Sequence, residues 1–176
     1  QAALLLVLGF GLIGAMDDLI KLRGLRNGLS VRGKLAAQLV VATLVAVLVW
    51  EHHRHLPDGL VLSLPLWGDV CNLGIGFIPL AILVLVGSSN AVNLTDGLDG
   101  LAGGCLIVTA AAMTAVTYAA GHAEMAHYLA IPRIPGAGEL TVPAAALVGG
   151  VLGFLWFNCY PAQVFMGDTG SLSLGG

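Results

Sequence analysis

A series of long apolar runs limits the fold of this chain more than any other feature. A segment that crosses a bilayer must pair all its backbone groups internally, so it forms a helix or part of a closed barrel. A membrane helix needs about 20 apolar residues, because each residue rises about 1.5 Å through a core of about 30 Å. The apolar runs lie at 2–16, 35–50, 74–92, 101–120 and 141–159, and a sixth begins near Ser171.

The composition agrees with a lipid environment. Only 10% of the residues are charged and mean hydropathy is +0.92, whereas soluble domains contain about 25% charged residues. The sequence therefore predicts an all-α integral membrane protein, a polytopic bundle of about five to six transmembrane helices with the lipid bilayer as a partner.

The basic residues predict which side of the membrane each loop faces. Five of the seven lysines and arginines lie between the first two apolar runs, and short loops of this kind stay in the cytoplasm. They are Lys21, Arg23, Arg26, Arg32 and Lys34. Alternation then places the loop at 51–73 outside. Its segment near 60–67 alternates apolar residues around Pro65, which predicts a short periplasmic hairpin.

Acidic residues from three separate loops collect at the predicted cytoplasmic ends of the spans. An Asp at the centre of a membrane helix costs roughly 2.5–3.5 kcal/mol, so these carboxylates are expected at a boundary or beside a wet cavity. For each one alone, a helix cap or a solvated helix end is the favoured interpretation. Together they favour a site for a hard cation such as Mg²⁺. The residues are Asp17, Asp18, Asp96, Asp99 and Asp168.

Glycines and lysines next to these carboxylates fit the same site. Residues 96–100 read DGLDG, which argues against a regular helix there and favours backbone that lines a cavity. Lys21 and Lys34 have two interpretations of equal weight. They set the membrane topology, or they attract a phosphorylated substrate or anionic lipid headgroups.

Four segments carry a resemblance to a known family: GAMDDLIK, SSNAVNLTDGLDGLAGG, YLAIPRIPGAGELTV and GFLWFNCYPAQVFMGDTGSLSLGG. They resemble the polyprenyl-phosphate N-acetylhexosamine-1-phosphate transferases. The sequences NLTDGLDGLA and PGAGELTV resemble the phospho-N-acetylmuramoyl-pentapeptide transferase branch more than its relatives. The family's first and last helices and its His-rich motif have no counterpart here. Residues 1–176 are therefore expected to be a single membrane domain from the middle of a roughly ten-helix transferase.

The resemblance implies a reaction and its partners. The implied reaction transfers phospho-N-acetylmuramoyl-pentapeptide from UDP-N-acetylmuramoyl-pentapeptide to undecaprenyl phosphate, and it yields lipid I and UMP in peptidoglycan synthesis. Mg²⁺ is the implied cofactor. The implied location is the bacterial cytoplasmic (inner) membrane, with the active site on the cytoplasmic face. Nucleic acid is not an expected partner, and a homodimer is left open.

The resemblance also implies roles for individual residues. By the match to DDxxK, Asp17 is the implied base on the acceptor phosphate, Asp18 its partner near the metal, and Lys21 a phosphate contact. Asp168 of MGDTGS is the implied Mg²⁺ ligand, together with Asp18. The other implied substrate-binding residues are Lys34, then Asn93 and Asp96 as residues that shape the site, and Gly97, Leu98, Asp99, Asn158 and Phe165 as the nucleoside pocket. Phe165 is implied to stack on uracil, although its position alone favours a membrane-interface aromatic.

Two other functions stay open at this point. An ion-coupled transporter or channel also carries carboxylates inside the membrane, but it predicts them near mid-span, whereas here they lie at span ends on one side. A sister transferase that uses UDP-N-acetylglucosamine would carry the same site chemistry. The two transferases differ in the UDP-sugar from which they release UMP.

Overall fold

The structure is a computed structural model, and it describes residues 2–24, 28–57, 59–64 and 68–176. These residues form seven α-helices and one two-stranded antiparallel sheet. The helices are α1 Ala2–Leu22, α2 Val31–His53, α3 Phe77–Thr95, α4 Leu101–Gly121, α5 Ala123–Tyr128, α6 Thr141–Asn158 and α7 Gly167–Gly175. The strands are β1 Val61–Leu64 and β2 Gly68–Asn72.

Five helical segments of the described chain are long and apolar enough to cross a membrane. They contain 21 to 23 residues each, which at about 1.5 Å per residue matches the hydrocarbon core. They are Ala2–Leu22, Val31–His53, Gly74–Thr95, Leu101–Gly121 and Ala137–Asn158. The prediction of a polytopic, all-α membrane protein is confirmed. The last helix, α7, begins at Gly167 and so includes Asp168, four residues earlier than the apolar run near Ser171 suggested.

The chain forms two compact units, and the first comprises Gln1–Gly97 and Met166–Gly176. In this unit α7 packs against α1 and α3. The core is a set of buried apolar side chains from α1, α2 and α7, in which Phe10 and Leu172 are fully buried. In lipid this core is stabilised by van der Waals packing rather than by the hydrophobic effect. The packing brings the start of α7 beside the end of α1.

The hairpin lies at the opposite end of the first unit, where α2 ends and α3 begins. The indole Nε1 of Trp50 donates to the carbonyl oxygen of Gly74 at 3.1 Å, and the ring of His53 stacks on that of Phe77. These contacts join the end of α2 to the start of α3, the two helices that flank the hairpin.

The hairpin predicted near 60–67 is present, but it is longer than predicted. Its second strand runs from Gly68 to Asn72, and Val61 at the start of β1 pairs with Asn72 at the end of β2. Pro65 and its neighbours at 66 and 67 lie outside the described residues, as does Arg26 of the basic loop.

The second unit comprises Leu98–Phe165 and contains α4, α5 and α6. Its main packing pair is α4 with α6. Gly103 allows this approach, since a Cβ there would lie 3.2 Å from the Leu155 side chain, and small residues are typical where membrane helices pack closely. Asn158 joins the helix ends by accepting from the Gly100 N–H at 3.1 Å and donating to Val164 at 2.8 Å.

The two ends of the first unit should differ in accessibility. In the full-length protein with Cys105 and Cys159 replaced by alanine, the exposed native Cys71 of β2 should react with a membrane-impermeant maleimide added to intact cells. A cysteine placed at Arg23 should react only after the cells are opened, because the basic loop predicts a cytoplasmic location for that end. Labelling is read as a gel shift. If position 23 reacts in intact cells and Cys71 does not, the predicted orientation is inverted.

Candidate active site

The end of α1 and the start of α7 bring three carboxylates together. One oxygen each of Asp17, Asp18 and Asp168 lies within 4.8 Å of the others. These three residues are called the carboxylate cluster below. Asp17 is buried, whereas Asp18 and Asp168 are partly exposed. The expectation that all the carboxylates come from loops is wrong for Asp17, Asp18 and Asp168, because α1 continues as a helix to Leu22 and α7 already begins at Gly167.

Two lysines offset most of the charge of the carboxylate cluster. Lys21 Nζ lies 2.6 Å from Asp17 Oδ2 and 2.9 Å from Asp168 Oδ2, and it is 3.8 Å from Asp18 Oδ1. Lys34, in the first turns of α2, lies 2.7 Å from Asp168 Oδ2. Three carboxylates facing two ammonium groups leave one net negative charge. The two lysines that the sequence associated with phosphate binding thus contact the cluster directly.

Helix α3 contributes an amide to the same place. Asn93 Nδ2 donates to Asp168 Oδ1 at 2.8 Å and to Ser171 Oγ at 2.8 Å. Ser171 in turn donates to the carbonyl oxygen of Gly167 at 2.8 Å. The Asp168 side chain is therefore held from α1, α2 and α3 at once.

These partners determine the ionisation of Asp168. Burial by itself would raise the pKa of this carboxyl, but hydrogen bonds with Asp17, Lys34, Lys21 and Asn93 outweigh burial and hold the pKa well below its usual range. Asp168 therefore stays a carboxylate at physiological pH, which is the form that binds a cation.

Asp17 is the most enclosed member of the cluster. Its Oδ1 accepts the N–H of Leu29 at 2.6 Å, and its Oδ2 faces Lys21. Gly28 lies against this ion pair with φ of 95°, and a Cβ there would lie 2.7 Å from Asp17 Oδ1 and 2.9 Å from Lys21 Cε. Only glycine fits both this backbone conformation and this space. The backbone at Gly28 thus encloses the Asp17–Lys21 pair.

Asp96 and Gly97 follow the end of α3. The helix ends at Thr95, as DGLDG predicted, and the irregular backbone continues to Gly100 at φ 75°. Burial and, to a smaller extent, the charge of Asp168 raise the pKa of the Asp96 carboxyl. The charge of the carboxylate cluster therefore acts on Asp96, although Asp96 does not belong to the cluster.

The other four predicted site residues belong to the second unit. Asp99 Oδ2 accepts the N–H of Ala162 at 3.0 Å, and Asn158 is 2% exposed. Leu98 and Phe165 are exposed, at 70% and 71%. Asp99 and Asn158 thus have structural contacts inside their own unit, and the binding roles of all four residues stay predictions.

Two polar residues next to Asp168 were missed by the sequence interpretation. Thr169 contacts Asp18 through its hydroxyl and its N–H, and Ser171 contacts Asn93. Both lie in the MGDTGS segment. Two hydroxyl side chains so close to the start of an apolar run are a sequence feature that could have identified them, since hydroxyls are common at helix starts.

A second missed feature is an amide pair deeper in the unit. Asn90 Nδ2 donates to Gln38 Oε1 at 2.9 Å. Gln38 lies four residues after Lys34 and Asn90 three before Asn93, so each pair shares a helix face. Gln38 is 1% exposed, and within the described ranges its Nε2 is a buried side-chain atom without a hydrogen-bond partner.

The donor set of the cluster suits a divalent cation. It consists of carboxylates, and in the part of the chain that the structure describes no histidine or cysteine belongs to it. Oxygen ligands with net negative charge are what hard divalent cations prefer. Lys21 already contacts all three carboxylates, so a cation would have to compete with its ammonium group for the same oxygens.

Comparison with known proteins identifies the family. The family model described as "Glycosyl transferase family 4" matches residues 1–176. The chain belongs to glycosyl transferase family 4.

Curated members of this family resemble the chain closely. The phospho-N-acetylmuramoyl-pentapeptide-transferase of Oleidesulfovibrio alaskensis is 51% identical over 175 residues, and that of Aquifex aeolicus is 50% identical over 174 residues. Each alignment covers 98% of this chain but only 48% and 47% of the relatives. The chain therefore spans about half the length of the curated relatives it matches. These names favour a transferase over the transporter and channel alternatives.

In this glycosyl transferase family 4 chain, replacement of Lys34 should lower the stability of the cation-free protein and strengthen cation binding. Lys34→Met leaves Asp168 with one ammonium partner fewer, so the protein without divalent cations should lose about 2 kcal/mol, as expected for a hydrogen bond to a charged group. The variant should also gain more thermal stability from added divalent cation than the wild type does, since the cluster then carries two net negative charges. Thermal unfolding of the full-length protein in detergent measures both effects.

Arg54→Met is the matched control, because Arg54 forms an exposed ion pair with Glu51 at the other end of α2 and such pairs contribute little. Equal cation responses in the wild type and in Lys34→Met would contradict competition between lysine and cation at the cluster.

Proposed function

We propose that this chain carries the phosphate chemistry of a phospho-N-acetylmuramoyl-pentapeptide transferase. The proposed reaction moves phospho-N-acetylmuramoyl-pentapeptide from its UDP derivative to undecaprenyl phosphate and yields lipid I and UMP. The observation that carries the proposal is the carboxylate cluster, paired with Lys21 and Lys34, at the end of three apolar helices. The names of relatives at 50–51% identity support it.

The position of the cluster suits two substrates of opposite solubility. The donor is a water-soluble diphosphate, and the acceptor is a phosphate on a lipid that stays in the membrane. Both phosphates can meet only at the membrane surface, which is where charged groups at helix ends lie.

The reaction forms one bond and breaks one. An oxygen of the acceptor phosphate attacks the phosphorus attached to the sugar, and the bond from this phosphorus to the oxygen shared with the uridine phosphate breaks. UMP leaves with the electron pair of that bond. Lys21 and Lys34 are proposed to stabilise the negative charge that spreads over the phosphate oxygens.

Asp17 is proposed as the base on the acceptor phosphate. A phosphomonoester has a second pKa of about 6, so a fraction of the acceptor carries a proton near neutral pH. Asp17 would take that proton on a carboxylate oxygen and would return it to solvent after UMP leaves. Lys21, which lies 2.6 Å from Asp17 Oδ2, has to shift toward a phosphate for this oxygen to become available.

Mg²⁺ is the proposed cofactor, with Asp168 and Asp18 as its ligands. When bound, it would supply positive charge next to the phosphate oxygens. Proteins commonly hold Mg²⁺ with one or two carboxylates plus substrate phosphates, and the cluster offers two partly exposed carboxylates. Asp168 is held in place by Lys21, Lys34 and Asn93, and such supporting contacts orient a metal ligand before the metal arrives.

Binding of the uridine part is proposed for Leu98, Asp99, Asn158 and Phe165 on the basis of the family resemblance. The Phe165 ring is 71% exposed, so it is free to stack on a base, an interaction typically worth about 1–3 kcal/mol per base. The proposed location is the bacterial cytoplasmic membrane, with the cluster on the cytoplasmic face beside the basic loop. Assembly as a homodimer stays a prediction.

A pH–rate profile of UMP release tests the function and separates the roles of two carboxylates. Asp17→Asn should lose activity chiefly at low pH and regain part of it as pH rises, because the acceptor phosphate then loses its proton to solvent. Asp168→Asn should not regain activity with pH, although more Mg²⁺ should restore part of it. The measurement uses the full-length enzyme with UDP-N-acetylmuramoyl-pentapeptide and undecaprenyl phosphate at several Mg²⁺ concentrations.

Glu124→Gln is the matched control, since it makes the same carboxylate-to-amide change at an exposed position of α5. Its profile should follow that of the wild type. An equal loss for Asp17→Asn at every pH would exclude Asp17 as the base. Absence of UMP release from the wild type would contradict the proposed function itself.

A further inference from the structure

The first turn of α7 rests on a carboxylate from α1. Asp18 Oδ2 accepts the Thr169 N–H at 3.0 Å and the Thr169 hydroxyl at 2.6 Å, and Asp18 Oδ1 accepts the Asp168 N–H at 3.3 Å. The residue before α7, Met166, provides no side-chain cap. Asp18 therefore performs for α7 the task that an N-cap side chain usually performs within its own helix.

A glycine on the same face of α1 makes this contact close. Gly14 lies one helical turn before Asp18, and a Cβ at Gly14 would overlap the Asp168 carbonyl group and the Thr169 Cα. These are backbone atoms, so they cannot rotate away. Gly14 and Asp18 together seat the start of α7 on α1.

The hydrogen bonds also determine which oxygen of Asp18 remains available. A carboxylate oxygen has two lone pairs, and Thr169 uses both lone pairs of Oδ2. Among the described residues, Oδ1 accepts a hydrogen bond only from the Asp168 N–H, at the longer distance, and it faces Lys21 Nζ at 3.8 Å. It is thus the less occupied oxygen of Asp18, and a cation there would replace the Lys21 ammonium group.

We propose that Thr169 is a positioning residue: its hydroxyl fixes Asp18 Oδ2, so that Asp18 Oδ1 and the Asp168 carboxylate are presented together to a divalent cation. The proposal rests on the cation-binding part of the proposed function. It concerns a side chain that touches neither substrate nor cation and acts through Asp18.

Direct cation binding tests this role without turnover. Mn²⁺ serves as the probe, and its binding to the full-length protein in detergent is measured by electron paramagnetic resonance with no substrate present. Thr169→Val keeps the shape of the side chain but lacks the hydroxyl, and it should bind Mn²⁺ at least about tenfold more weakly, as is typical when the hydrogen-bond partner of a metal ligand is removed. Thr169→Ser keeps the hydroxyl and should bind like the wild type.

Ser173→Ala is the matched control. Ser173 lies one turn further along α7, and in the described part of the chain its hydroxyl bonds only to carbonyl oxygens of its own helix, so its loss should leave Mn²⁺ affinity unchanged. If Thr169→Val does not fold, Thr169→Ala takes its place with the same expectation. In UMP release, Thr169→Val should shift the half-saturating Mg²⁺ concentration upward and recover most of the rate at saturating Mg²⁺.

Two results would overturn the proposal: wild-type Mn²⁺ affinity in Thr169→Val and Thr169→Ala, or a loss in Thr169→Ser as large as in Thr169→Val. A wild-type protein that binds no Mn²⁺ would overturn both this proposal and the cation site. A wild-type protein that binds Mn²⁺ but releases no UMP would contradict the proposed function while leaving the role of Thr169 intact.

Discussion

The first unit depends on the neutralisation of one carboxylate, Asp168. A carboxylate among apolar helices is costly unless charged and hydrogen-bonding groups surround it, and Asp168 meets that requirement with Lys21 from α1, Lys34 from α2 and Asn93 from α3. Because each partner belongs to a different helix, satisfying this single charge also fixes how the three helices meet. The same contacts keep Asp168 ionised, so the interaction that organises the fold also prepares Asp168 for its proposed role as a cation ligand.

The two lysines neutralise the three carboxylates only in part, and this remaining charge links the fold to its proposed chemistry. Two ammonium groups face three carboxylates, which leaves negative charge for a cation and mobile positive charge for phosphates. Lysine suits such a place, because its flexible stem allows the ammonium group to move between a carboxylate and a phosphate. The enclosed Asp17, covered at Gly28, and the partly exposed Asp18 and Asp168 differ in access, and this difference supports separate roles.

Hydropathy and charge placement predicted the spans and the polar residues of the cluster, because lipid leaves few structures open to a long apolar run. The glycines of DGLDG predicted the break after α3. The side-chain contacts between different helices were harder to predict. The contacts of Thr169 with Asp18 and of Asn90 with Gln38 join residues far apart in sequence, so they depend on helix packing that no local pattern encodes. Asp17 and Asp18 were expected in a loop because apolar content ends near residue 16, yet backbone hydrogen bonding continues α1 for another turn and a half.

Donor specificity distinguishes the proposed function from that of a sister transferase, because both reactions would use the same carboxylate cluster and differ in the phospho-sugar transferred. UMP release by the full-length protein with undecaprenyl phosphate and Mg²⁺ should be measured with UDP-N-acetylmuramoyl-pentapeptide and with UDP-N-acetylglucosamine in turn. We expect UMP release from the first donor, dependent on both the lipid acceptor and Mg²⁺, and no release from the second. Release from UDP-N-acetylglucosamine alone, or from neither donor, would contradict the proposed function.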